Sequence, residues 1–212
     1  MKIRHLVVWL ALVLLLVSCG SLRQPARPVS QYLPEYETPA FGARTQLPEG
    51  VAVDRFAVSP AFDTQAMVYR EAPGGWADYP YHHWRARPGE MVSDYLARDL
   101  AASGWFALAA WPDLPNRARF RLSGILREFY ENDGPGAWEA VLTLDLVLTD
   151  QESRNLTDRV LFQQTYHAVF PAGEKTPQAV ARAMGQCLMN LSGQVGADVY
   201  EAVSLRLASS SP

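Results

Sequence analysis

Four histidines, two cysteines and a scatter of carboxylates are the groups in this chain that could ligate a metal, attack a substrate or move a proton. His82 and His83 are adjacent, and adjacent strand residues point to opposite faces, so they do not chelate one ion together. His167 lacks a second ligand at the His-x-x-x-His or Cys-x-x-Cys spacing that makes a metal site specific. The sequence has no Gly-x-Ser-x-Gly elbow and no glycine-rich phosphate loop, and Ser103-Gly104 reads as a helix end. Glu128 with Glu131, or Asp54 with Glu71, would work as a carboxylate pair, but acidic residues on strands are usually the solvated face. Cys187 lies in an apolar stripe at helical spacing, which makes it a small buried hydrophobe and not a nucleophile. The expectation is a chain with no enzyme activity, no metal and no cofactor.

Cys19 carries chemistry of another kind. Lys2 and Arg4 precede twelve uninterrupted apolar residues, Leu6 to Val17, in the order of a secretory signal. The run is too short for a spanning helix, which needs about 20 apolar residues. It ends in Leu16-Val17-Ser18-Cys19, which resembles the bacterial lipobox. That resemblance implies a diacylglycerol on the thiol, cleavage before Cys19 and acylation of the new amine. The alternative is an ordinary signal cut after Gly20, with Ser18 and Gly20 as the small residues of the site. Gly20 stands where an Asp would resemble an inner-membrane retention signal, so the resemblance favours the outer membrane. One acyl chain binds membranes only marginally, whereas three on one residue hold durably.

The sequence between Cys19 and about residue 49 is rich in Pro, Gln, Arg and Ser without apolar periodicity, and reads as a lipidated flexible tether. Residues 50–212 suit a single domain large enough to bury a core. Losing Lys2 and Arg4 from 19 basic residues leaves 17 against 22 acidic, a formal charge of −5. Such a chain has no electrostatic footprint for nucleic acid. With Cys19 lipidated, Cys187 is the only thiol, so no internal disulfide is expected.

The elements follow from pattern. Val51 to Val58, Met67 to Arg70 and Tyr79 to Trp84 read as strands; Pro88 opens a helix that Gly104 ends; Trp105 to Ala110 returns as a strand. Arg119 to Glu131 and Ala137 to Asp150 flank Asn132-Asp133-Gly134-Pro135-Gly136 as a hairpin. In the second run Trp138, Ala140, Leu142, Leu144, Leu146 and Leu148 share one face. Val160 to Phe170 is a further strand. Thr176 caps a helix starting at Pro177, with Val180, Met184, Cys187, Leu188, Leu191, Val195 and Val199 at spacings of three and four. The result is a two-layer α+β domain, a mainly antiparallel sheet of six to seven strands covered by two helices, in the order β-β-β-α-β-β-β-β-α. Trp76, Tyr79, Tyr81 and Trp84 are candidates for partner contact, because Tyr and Trp are enriched where proteins meet; alternation would put Tyr79 and Tyr81 opposite Trp84, and packing explains part of the cluster equally well.

Met67-Val68-Tyr69-Arg70, Tyr79-Pro80-Tyr81-His82-His83-Trp84 before Pro88, the run from Phe120 to Phe129, and Ala140 to Asp150 together resemble the ABC-type transport auxiliary lipoprotein family, the PqiC-like outer-membrane partners of Mce-type lipid transporters. Arg85-Ala86-Arg87-Pro88 departs from it where similar proteins often carry an acidic residue before the proline. The resemblance implies a non-enzymatic periplasmic component, lipid-anchored on the periplasmic face of the outer membrane. Its implied partner is the Mce-type substrate-binding protein of an inner-membrane ABC transporter that moves lipid or other hydrophobic cargo, and homo-oligomers are compatible with it. The alternative is a structural or assembly lipoprotein that binds protein partners and moves no lipid.

Overall fold

The structure is a computed structural model and describes residues 27–111, 118–134 and 137–210. The signal segment, Cys19 and the start of the tether lie outside the described residues, as do Pro135 and Gly136 of the expected turn. In chain order the elements are β1 (Ser30–Tyr32), β2 (Leu47–Val53), β3 (Ala57–Val58), a 3-10 turn (Pro60–Phe62), β4 (Ala66–Glu71), β5 (Gly75–Trp84), α1 (Pro88–Ser103), β6 (Phe106–Ala110), β7 (Phe120–Gly134), β8 (Ala137–Asp150), α2 (Leu156–Arg159), β9 (Val160–Pro171) and α3 (Pro177–Ser210).

The α+β class holds, with nine strands in one curled sheet in place of the expected six or seven. The long pairings are antiparallel: β7 with β8, β8 with β9, and β4 with β5. β8 is the ribbon whose alternation was plainest. Ala140, Leu142, Leu144, Leu146 and Leu148 are fully buried beneath the helices, as period-two spacing dictates. Along its other edge β7 receives β2 at Phe120 to Leu122, β3 at Ile125 and Leu126, and β4 at Glu131 to Asp133, all parallel. Residues 47–71 therefore run as one interrupted strand. The expected strand from Val51 to Val58 breaks after Val53: Asp54 N still donates to Leu122 O at 2.9 Å, while its carboxylate takes the Arg121 guanidinium and the Ser123 hydroxyl.

A bulge decides which side chains of β7 face the core. The register shifts between Leu126 and Glu128, so even-numbered Phe120, Leu122 and Leu126 point inward before it. After it Phe129 and Glu131 point inward and Tyr130 turns to the opposite face, because one extra residue inverts the alternation.

α1 starts and stops, and α3 starts, where the sequence indicates. α1 starts at Pro88 and stops at Gly104, whose φ of 64° is left-handed and whose N–H reaches Ala101 O. Thr176 Oγ1 accepts from Ala179 N at 3.2 Å at the start of α3. The stripe from Val180 to Val199 is buried throughout. Among the described residues, no helix is long and apolar enough to cross a membrane. At the far end of α3, Arg206 joins Arg119 on the buried carboxylate of Asp150 at 2.9 to 3.0 Å. Burial pulls that carboxyl pKa up, but the two arginines outweigh it and hold it at about 2.

Residues 30–49 correct the expected tether. Ser30–Tyr32 pairs with β5, and the chain then crosses both helices as a strap. Tyr36 donates to Asp99 at 2.6 Å, Trp105 Nε1 to Gly42 O at 2.9 Å, and Tyr200 to Thr45 O at 2.9 Å. Asp99 is fully buried and also accepts from Ser192 and Arg98. Gly185 is what lets the strap lie so close: a methyl there would stand 2.5 Å from Glu35 O. Composition read the strap as polar and aperiodic because its anchors are single aromatic residues on helix notches, and such contacts leave no period.

Candidate docking surface

The β4–β5 hairpin carries the four aromatic residues singled out from sequence. Ala66 pairs with His83 and Val68 with Asp78, so β5 holds three more residues than β4 between those rungs. Pro80, which has no N–H to give a ladder, lies in that excess. The simple alternation expected across Tyr79 to Trp84 therefore fails, and each aromatic goes its own way.

Trp84 is a core residue, 2% exposed and 5.0 Å edge-on to Phe129, so it has no surface to offer a partner. Tyr79 packs on Tyr69 and His82 and donates to Glu131 Oε1 at 3.1 Å. Tyr81 is 38% exposed beneath the Arg27 guanidinium. Trp76 is 52% exposed on the sheet face away from the helices, against Phe62 and Tyr130, with Arg70 above its ring. Phe62 and Tyr130 stack on each other and are themselves buried.

Trp76 and Phe62, with Tyr130 packed against both, form one wall of an open groove of about 670 Å³ that Ser59, Arg127, Glu128, Thr143, Asp145 and Thr165 complete. Sequence reasoning missed Phe62 and Tyr130. The 3-10 turn after Ser59-Pro60 places the first, and the β7 bulge places the second. Only the proline gave a local signal. Across the groove Arg127 and Thr165 both engage Asp145. One end is aromatic and the other charged.

The candidate chemical groups disperse. His82 Nδ1 lies 3.0 Å from the Tyr32 hydroxyl, and its pKa is lowered, first by burial and then by Arg27 and His83. Among the described residues no three His, Cys, Asp or Glu side chains are placed to hold a metal. His167 meets Thr143 at 2.7 Å, and Thr143 donates to Glu128. The carboxylate thus binds the hydroxyl directly, whereas in a nucleophile triad it would orient the imidazole. Glu128 and Glu131 lie on opposite faces of β7. Glu131 is 2% exposed, and burial pushes its carboxyl pKa up to about 7 against the opposing hydrogen bond from Tyr79. Cys187 is fully buried between the carbonyls of Ala140 and Ala168, and burial raises its thiol pKa to about 12. Cys19, the expected lipidation residue, lies outside the described residues.

Solved structures share this fold. The protein XCC0632 from Xanthomonas campestris superposes with a TM-score of 0.73 over 84% of this chain and 99% of its own, at 20% identity. The hypothetical protein CT253 from Chlamydia trachomatis gives 0.54 over 74% and 98%, at 11% identity. No curated protein matches the chain. The model of a family described as the ABC-type transport auxiliary lipoprotein component matches residues 33–196, and the chain belongs to that family. Its start at residue 33 takes in most of the strap as part of the domain. Membership makes the chain an auxiliary component of ABC-type transport and a lipoprotein of the cell envelope.

Proposed function

We propose that the protein is a non-enzymatic docking lipoprotein. Acyl chains on Cys19 anchor it to the periplasmic face of the outer membrane, and it engages the Mce-type substrate-binding protein of an inner-membrane ABC transporter that moves lipid or hydrophobic cargo. The observation that carries this reading is Trp76. A half-exposed tryptophan, backed by a buried Phe62–Tyr130 stack and bordered by charged residues, has the make-up of an interface anchor: a large rigid apolar surface with a polar rim. The family and the lipobox-like Leu16 to Cys19 add the envelope setting. The polar residues of the groove are engaged with one another across strands, as in a contact surface, and not converged on a reacting centre.

The test is binding of the purified mature chain to the Mce-type protein from the same cell. Binding is expected, and Trp76→Ala should weaken it by about thirtyfold, the loss of a hot-spot residue, with unfolding temperature unchanged. Failure to bind at high concentration would count against the transport role and favour an assembly lipoprotein with other protein partners. Association of copies belongs to the same proposal, and sedimentation of the mature chain measures it.

A further inference from the structure

The strap changes how far the domain stands from its anchor. Had the chain been free to residue 49, thirty residues would have separated Cys19 from the domain, about 100 Å at full extension. The described fold begins at Arg27, which already lies 5.2 Å from the Tyr81 ring. Eight residues then remain, which reach at most about 29 Å. The strap is not a segment that peels easily, since Tyr36 and Thr45 are hydrogen-bonded to helix side chains and Phe41 packs edge-on to Trp105 just past α1.

Where the chain emerges is as informative as how short it is. Val29, Leu33 and Tyr81 are exposed there, with Arg27 over Tyr81 and Arg85 bonded to Gln31. Glu35, at its border, is the first acidic residue after Cys19. Exposed aliphatic groups, a tyrosine and arginines next to an acyl anchor have the composition of a membrane-interface patch: amphipathic rings sit at headgroup level and guanidinium groups attract anionic lipid. This edge lies at the beginning of α3, where Gln31, Tyr32 and Glu35 share a groove with Gln178 and Arg182. Leu205, near the other end of α3, is 28 residues on, about 42 Å along the helix.

We infer that the β1–β5 edge, with Arg27, Val29 and Tyr81, rests on the phospholipid surface in which Cys19 is anchored, while the far end of α3 points away from it. The inference rests on the proposed lipidation of Cys19. It makes the anchor an orienting device: the groove with Trp76 is presented at a fixed height, within reach of a partner arriving from the inner membrane.

The experiment uses the lipidated mature chain in vesicles of phosphatidylethanolamine with one part phosphatidylglycerol. Single labels go on Asp78→Cys, in β5 three residues before Tyr81, and on Leu205→Cys; buried Cys187 does not compete for the label. Energy transfer to a headgroup dye should be at least about threefold greater from position 78 than from 205, given a separation set by the helix rise. Equal transfer, or greater transfer from 205, on a chain whose mass shows the lipid would overturn this inference and leave the anchor standing. A mature chain that carries no lipid would overturn both.

Discussion

Glu131 is the residue whose chemistry is most out of keeping with its place. It is a carboxylate almost sealed in the core, held to β5 by the Tyr79 hydroxyl, with the Trp138 indole nearby. Its folded pKa, about 7, is above its ordinary value of 4.5. The folded state therefore holds a proton that the unfolded chain has released, and stability falls as pH rises between those two values, by about 3 kcal/mol in all. Glu131→Gln keeps an acceptor for Tyr79 and removes the charge. It should raise the unfolding temperature at about pH 8 and leave it nearly unchanged at about pH 4.5; an equal effect at both would show that folding does not raise the carboxyl pKa. Nothing in the sequence distinguished Glu131 from Glu128. Both sit in one strand three apart, and without the bulge at Arg127 both would be placed by parity alone, on the wrong faces. Trp84 shows the same limit: its type suggested contact, and its burial against Phe129 decided otherwise.

Among the elements, those with a strong period were legible. β8 alternates, α1 runs from Pro88 to the Gly104 cap, and α3 keeps its apolar stripe from Val180 to Val199, so their existence and buried faces followed from residue spacing. β1 and β3 are too short to have a period. The parallel rungs along β7 depend on partners distant in sequence, which local pattern does not encode. The strap is the largest such element, and Gly185 is its most sensitive contact. Gly185→Val would drive a side chain into the Glu35 carbonyl, costing about 2 kcal/mol as overpacking does. The released strap should then expose the Arg44 peptide bond, now held against Trp105 and Tyr200, to trypsin while α3 stays helical. Rapid cleavage after Arg44 in the variant and slow cleavage in the parent is the expected result; equal protection would mean the strap does not depend on the notch.

At the scale of the whole molecule, a helix-backed curled sheet carries an aromatic groove on its open face, and a strap shortens the link to the anchor. In the proposed role Cys19 fixes one end and Trp76 offers the other, so position, more than chemistry, would be what the protein contributes. Anchor and groove act together only if both are present in one chain. The most direct test is photo-crosslinking in cells from a reactive amino acid at position 76, in the parent and in Cys19→Ala. The parent is expected to crosslink to the Mce-type substrate-binding protein, and the unanchored variant, still folded, to lose the transport-linked function. Crosslinks confined to outer-membrane proteins, or full function without Cys19, would contradict the docking role.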